Sequence, residues 1–232
     1  MKTKVFNLII LDESGSMSCI ERQALNGLNE TLQTIRKAQE KYPDQEQIVS
    51  IVPFESDNIR LLRDKVSIRD VNDLRPDEYN PGASTPLFDA IGFGINSIRK
   101  QVTDDDCVLV TIITDGEENS SEEYSGKAIA SIIDRLKKKG WMFTYIGANQ
   151  DAISVAMTIN ITNALNFVQD DERTKEMFEK ERKSRERYFE DNARCCEMAT
   201  PMMARKERIR MACASAYFDD EPKKTKKKNK KS

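Results

Sequence analysis

Twice in this chain an apolar run ends on an aspartate: residues 5–11 lead into Asp12, and residues 107–114 lead into Asp115. Each run is short, aliphatic and bounded by turn formers, the pattern of a buried strand rather than a helix. The second has almost no polar interruption, as expected of a central strand covered on both faces. A chain with two such strands must build a layered sheet. Each strand then delivers a carboxylate to the loop at its C-terminal end.

After Asp12, Ser14 and Ser16 follow on alternate residues with Gly15 between them. Crowded oxygen ligands, with no His or Cys beside them, suit a hard cation such as Mg2+. By itself the spacing fits better a serine-rich turn that caps the next helix, with Ser16 or Ser18 at the cap.

The segments between the strands are helical in period. Ile20, Leu25, Leu28, Leu32 and Ile35 form one apolar stripe in a helix that ends near Lys41, before Tyr42 and Pro43. Residues 47–54 read as a second strand, with Pro53 placing its end at an edge or turn, and 59–62 as a short third. Residues 64–80 read as irregular, pinned by Val66, Ile68, Val71 and Leu74. The loop 80–87 contains two prolines and a glycine and places Thr85 just before a helix over 86–101, whose first position suits Pro86. Alone, Thr85 is an N-cap threonine. Helices over 125–139 and 151–158 and strands over 141–146 and 164–168 complete the alternation. A charge-dense helix over 171–192 carries a weak stripe of Met177, Phe178, Tyr188 and Phe189, and 194–218 reads as a further helix.

The alternation predicts an α/β fold: a doubly wound, mostly parallel, Rossmann-like sheet of about six strands with helices on both faces. The expected organisation is a domain over 1–170, a charged helical extension over 171–218 packed on or following it, and a disordered lysine-rich tail over 219–232. In such sheets ligands sit beyond the carboxyl ends of the strands, where the strand order reverses. If the two aspartate-ending strands are neighbours, Asp12, Ser14, Ser16, Thr85 and Asp115 meet in one crevice.

Composition removes several alternatives. The 232 residues include no histidine, which excludes a Ser-His-Asp triad, a Cys-His dyad and His-ligated zinc within this chain. Cys19, Cys107, Cys195, Cys196 and Cys213 have no C-x-x-C spacing, so reduced thiols are expected, most of them buried as small hydrophobes. The net charge of −2 conceals an acidic body, because the lysines from 223 onward offset it. The apolar run 5–11 is too short to span a membrane and no secretion signal precedes it, so a cytoplasmic location is expected.

Asp12-x-Ser14-x-Ser16, the threonine in Gly-Ala-Ser-Thr-Pro-Leu and the Thr-Asp-Gly after a buried strand resemble, in order and spacing, the von Willebrand factor A domain and its metal-ion-dependent adhesion site. The resemblance covers about residues 2–168, and the run from Thr85 to Ile91 looks like intracellular bacterial and phage members. It implies that Ser14, Ser16 and Thr85 place hydroxyls on Mg2+ (or Mn2+ or Ca2+), with Thr85 direct in the ligand-bound state. Asp12 and Asp115 would act mainly through waters. An ion so held favours an anionic ligand, in this family a Glu or Asp of a protein partner. The implied function is a metal-dependent protein-binding module and not an enzyme. Ser84 departs from the commoner glycine and adds a hydroxyl next to Thr85. Glu117 and Glu118 are expected to ring the site with negative charge.

The alternative is a metal-dependent phosphohydrolase on a similar sheet with Asp12 as nucleophile. Enzymes of the haloacid-dehalogenase type place a second aspartate two residues on as general acid, and here that position is Ser14. Nucleic acid is not an expected partner beyond weak contact through the lysine tail, which lacks interleaved aromatics. No P-loop occurs.

Overall fold

The computed structural model describes residues 3–56, 58–115, 118–148, 151–167, 171–198, 200–214 and 216–219. The expected tail over 219–232, apart from Asp219, lies outside them, as do Glu117 and Val168. In chain order the elements are β1 (Thr3–Asp12), α1 (Glu21–Lys41), β2 (Gln45–Glu55), β3 (Asn58–Ile59), β4 (Arg63–Ser67), α2 (Leu87–Ile98), β5 (Cys107–Thr114), α3 (Gly126–Lys137), β6 (Trp141–Ala148), α4 (Asp151–Thr158), β7 (Ala164–Phe167), α5 (Asp171–Cys196) and α6 (Pro201–Cys213).

The strands form one sheet in the order β3-β2-β1-β5-β6-β7, with β4 also paired to β2. The β1–β2, β1–β5, β5–β6 and β6–β7 pairs are parallel, whereas β3 and β4 pair antiparallel with β2. From β1 the chain moves outward to β2 on one side, then returns to β5 on the other. The strand order therefore reverses between β1 and β5, where open α/β sheets bind ligands.

Alternation along the strands sends side chains to two cores. Ile9 and Leu11 of β1 point to a core closed by Leu28, Leu32 and Ile35 of α1 and by Phe178 and Phe189 of α5. Leu8 and Ile10 point to the opposite core, closed by Ile91 and Ile95 of α2 and by Ile129 and Ile133 of α3. Every member of the predicted α1 stripe is buried, as are Met177, Phe178, Tyr188 and Phe189. Among the described residues no helix is long and apolar enough to cross a membrane.

A polar seam runs through the α5 side. Arg185 is 0% exposed. It pairs with Glu181 one turn earlier at 2.7 Å and donates to Thr111 Oγ1 of β5 at 2.8 Å and Asn7 Oδ1 of β1 at 3.5 Å. Asn7 donates in turn to Gln47 of β2 at 3.0 Å, and Thr144 of β6 donates to Thr111 at 3.1 Å. The ion pair is thus bonded to the sheet, as a buried charge requires.

Several local expectations are corrected. Neither Ser16 nor Ser18 caps α1. A 3-10 turn over Gly15–Cys19 intervenes, and Ile20 stands at the cap without a side-chain bond. The strand expected over 59–62 is split: β3 has two residues, and β4 forms in the stretch expected to be irregular. Its Arg-Asp-Lys start hides it from a hydropathy reading, yet charge is tolerated on an edge strand. Pro53 lies inside β2, which has neighbours on both sides. Its carbonyl accepts from Arg60 N–H on the hairpin side, so the missing proline N–H faces the short hairpin and not β1. The helix expected over 194–218 is α6, starting at Pro201, which cannot continue α5 but suits a first turn; Thr200 caps it by accepting from Met203 N–H at 3.2 Å. Beyond it, Tyr217 and Phe218 return to the α1–α5 core. Only Cys107 and Cys195 are buried, while Cys19, Cys196 and Cys213 are exposed, and none of the five forms a disulfide.

Candidate metal centre

Parallel pairing of β1 with β5 sets Leu11 beside Ile113, which brings the strand ends Asp12 and Thr114 side by side. Thr114 Oγ1 donates to Asp12 Oδ2. The chain then turns, and Ser14 N–H donates to Asp12 Oδ1 at 2.7 Å. The Ser14 and Ser16 hydroxyls lie 3.1 Å apart, and Ser16 Oγ donates to Asp115 Oδ1 at 2.8 Å. Thr114, Asp12, Ser14, Ser16 and Asp115 therefore form one string of hydrogen bonds at the switch point of the sheet.

Thr85 reaches the same edge by another route. Its N–H donates to Asn119 Oδ1 at 2.8 Å and its carbonyl accepts from Asn119 N–H at 3.2 Å. Gly15 N–H donates to Ala83 O at 3.0 Å, which ties the loop before Thr85 to the serine loop. Among the described residues, the Thr85 hydroxyl makes no hydrogen bond to the other four side chains. Thr85 is no N-cap either, since Pro86 holds that position at α2. Ser84 is exposed and bonds through its main chain to Ser56.

The residues holding this arrangement were not singled out by spacing. Glu118 does not face the site as a ring of charge. Its carboxylate accepts from Phe88 N–H at 2.9 Å, Ser120 N–H at 3.0 Å and Ser121 N–H at 2.7 Å, capping the start of α2. Asp89 in α2 reciprocates by accepting from the N–H groups of Glu122, Glu123 and Tyr124. Together they clamp the loop after β5 to the loop that carries Thr85. Tyr79 Oη donates to Asp12 O at 2.8 Å.

Burial pushes the Asp12 carboxyl up to about 6, against the lowering effect of the Thr114 and Ser14 bonds, and the nearby Asp115 pushes it further the same way. Asp115 is raised by its own burial, partly offset by the Ser16 bond. Among the described residues neither carboxylate has a Lys or Arg partner. The two carboxyl groups are surrounded by hydroxyls and amides, an oxygen donor set of the kind that suits a small hard cation. Among the described residues no group of three or more acidic, thiol or imidazole side chains is placed to hold a metal. A cation here would rely on hydroxyls for the rest of its shell.

No protein-family model and no curated protein sequence matches this chain. Solved structures do resemble it in fold. The pilus adhesin SpaC from Lactobacillus rhamnosus GG, in its open conformation, matches with a TM-score of 0.59 and 11% identity over 82% of this chain and 30% of that one. The PilB minor pilin from Streptococcus sanguinis matches at 0.57 and 11% identity over 82% of this chain. This chain spans 63% of the pilin's length. The vWF domain of the type V pili tip protein Mfa5 from Porphyromonas gingivalis matches at 0.56 and 8% identity, over 79% of this chain and 95% of that domain. At such identities the likeness is one of fold, and the fold is that of a von Willebrand factor A domain.

Proposed function

We propose that this domain is a metal-dependent protein-interaction module that takes Mg2+ at Asp12, Ser14, Ser16, Thr85 and Asp115 and recognises an acidic side chain of a partner. The observation that carries the reading is the buried Asp12 carboxylate, without a counter-cation among the described residues and strung through Ser14 and Ser16 to Asp115 where the strand order reverses. When bound, the ion supplies an electrophilic position open to a carboxylate. The chain does the rest. Ser14 and Ser16 present neutral lone pairs that leave the cation's charge largely uncompensated. Asp12 and Asp115 hold the serine loop through hydrogen bonds, and Asn119 holds Thr85 by its main chain, leaving its hydroxyl free of the other four. A partner carboxylate then gains a charge-assisted bond that water cannot match.

The hydrolase alternative needs a proton donor beside Asp12. At that position stands Ser14, whose main-chain N–H meets Asp12 Oδ1. The test is calorimetric titration with Mg2+, then with a glutamate-bearing peptide in Mg2+ and in EDTA. Thr85→Ala is expected to weaken peptide binding more than Mg2+ binding, and Asp115→Ala to weaken both. Equal peptide affinity in EDTA would refute the metal-bridged mechanism.

A further inference from the structure

Glu13 sits between the first two ligand positions of the serine loop, yet its side chain turns away from them and is buried at 1% exposure. Every polar group it carries is engaged. Its carboxylate receives a two-pronged bond from Arg60, at 2.5 Å and 2.9 Å, and a third from Asn80 N–H at 3.1 Å. Its N–H donates to Phe54 O at 2.8 Å, and its carbonyl accepts from Gly82 N–H at 2.7 Å. Arg60 also donates to Glu78 O at 3.4 Å. This one residue therefore joins the end of β2, the hairpin after it and the loop over 80–82 to the serine loop.

The connection matters because Thr85 lacks a side-chain bond of its own to the serines or aspartates. Its distance from them is set by main-chain and second-layer contacts. On the Asp12 side these are Gly82 N–H to Glu13 O, Asn80 N–H to the Glu13 carboxylate, Gly15 N–H to Ala83 O and, just before Asn80, Tyr79 Oη to Asp12 O. Two of these four run through Glu13, and the Glu13 carboxylate is fixed by the planar fork of Arg60. A fork sets both distance and orientation, as a point charge cannot.

We infer that Arg60, acting through Glu13, is a positioning residue for the metal site. It sets the loop carrying Thr85 against the loop carrying Asp12, Ser14 and Ser16, although it bonds to none of those side chains. The inference rests on the metal-site reading above and names the residues that decide how well the five ligands converge. Residues that orient ligands without touching the ion typically govern metal affinity by about 10- to 100-fold.

The test uses Mg2+ alone as probe on the full chain, with calorimetry, thermal melting in EDTA and amide exchange. Replacing both partners, Glu13→Met with Arg60→Met, exchanges an ion pair with a buried carboxylate and a half-buried guanidinium for apolar groups of similar size, which leaves no buried charge unpaired. The expected result is a melting temperature in EDTA near wild type, Mg2+ affinity lower by about tenfold or more, and faster exchange at the amides of Gly15 and Gly82. Arg60→Lys keeps the charge without the fork, and its Mg2+ affinity is expected to fall between the two. Wild-type Mg2+ affinity in either variant would overturn the positioning role. A wild-type chain that binds no Mg2+ would instead overturn the metal reading itself, so the two failures are distinct.

Discussion

Ser16 and Asp115 lie 99 residues apart in the chain, and the Ser16 hydroxyl donates to the Asp115 carboxylate at 2.8 Å. That bond closes the string from Thr114 to Asp115 and is, among the described residues, the direct side-chain link between the serine loop and the loop after β5. Ser16→Ala is expected to lower stability in EDTA by about 1–3 kcal/mol, since the hydroxyl bonds both Ser14 and a carboxylate. The same change should abolish the rise in melting temperature on adding Mg2+, because a ligand and its link to Asp115 go together. A variant that keeps the full Mg2+ response would place the ion elsewhere.

Stability should depend on pH in a way that Mg2+ reverses. Asp12 holds its proton up to about 6 in the folded chain, against 3.8 as its ordinary value. Between those values the folded state binds the extra proton, so stability without metal falls as pH rises through the window and stays lower above it. The raised Asp115 acts in the same direction. Two pH units correspond to about 3 kcal/mol at most. Calorimetric melting in EDTA should therefore show a decline from pH ~4 to ~6 that Asp12→Asn largely removes, and the Mg2+-induced stabilisation should be larger at pH ~7.5 than at ~5. A Mg2+ effect independent of pH would count against Asp12 as the coupled group.

The docking of α5 on α1 depends on a missing side chain. A Cβ on Gly27 would lie 1.8 Å from Cζ of Phe178. Gly27→Ala must displace that ring and is expected to cost about 1–3 kcal/mol by overpacking, despite alanine's better helix propensity. Phe178→Leu in the same chain should recover part of the loss. Additive effects in the double-mutant cycle would show that the two residues do not meet.

Tyr145 offers the opposite case. It is 0% exposed, and its hydroxyl makes no hydrogen bond among the described residues. Tyr145→Phe removes a desolvated donor without opening a cavity, so denaturant unfolding should give unchanged stability or a gain of up to about 1 kcal/mol. A clear loss would reveal a partner for the phenol.

Much of the sheet was legible because hydropathy period and turn residues report strands and helices directly. The run over 107–114 is β5 to the residue, and Asp12 and Asp115 fall where two parallel strands end side by side. The expected neighbouring of the two strands, and not the serine spacing by itself, brought Ser16 and Asp115 to one crevice, where they are bonded. The supports of the site were not legible. Glu118 reads in the sequence as a charge ringing the site, and Glu13 and Asp89 stand out in no pattern, since nothing in one dimension tells a carboxylate facing water from one that caps main-chain N–H groups. β4 was lost for a similar reason, its charged side chains masking a strand that exists through pairing with β2. Pro201 could have marked the break between α5 and α6, because a proline seldom continues a helix.

Arg185 was equally invisible among the charges of α5, and its burial limits what that helix can do. A helix seated only by apolar contacts can ratchet along its groove by one turn, exchanging one set of knobs for the next. Here a four-residue slide would carry either Glu181 or Phe189 to the place where Arg185 meets Thr111 and Asn7. The first puts a carboxylate against the side-chain amide oxygen of Asn7, and the second leaves Thr111 and Asn7 facing a phenyl ring while the Arg185–Glu181 pair, which travels together on α5, loses its bonds to the sheet. Either mismatch costs several kcal/mol. α5 therefore has one register on the sheet, and any movement of it is departure rather than sliding.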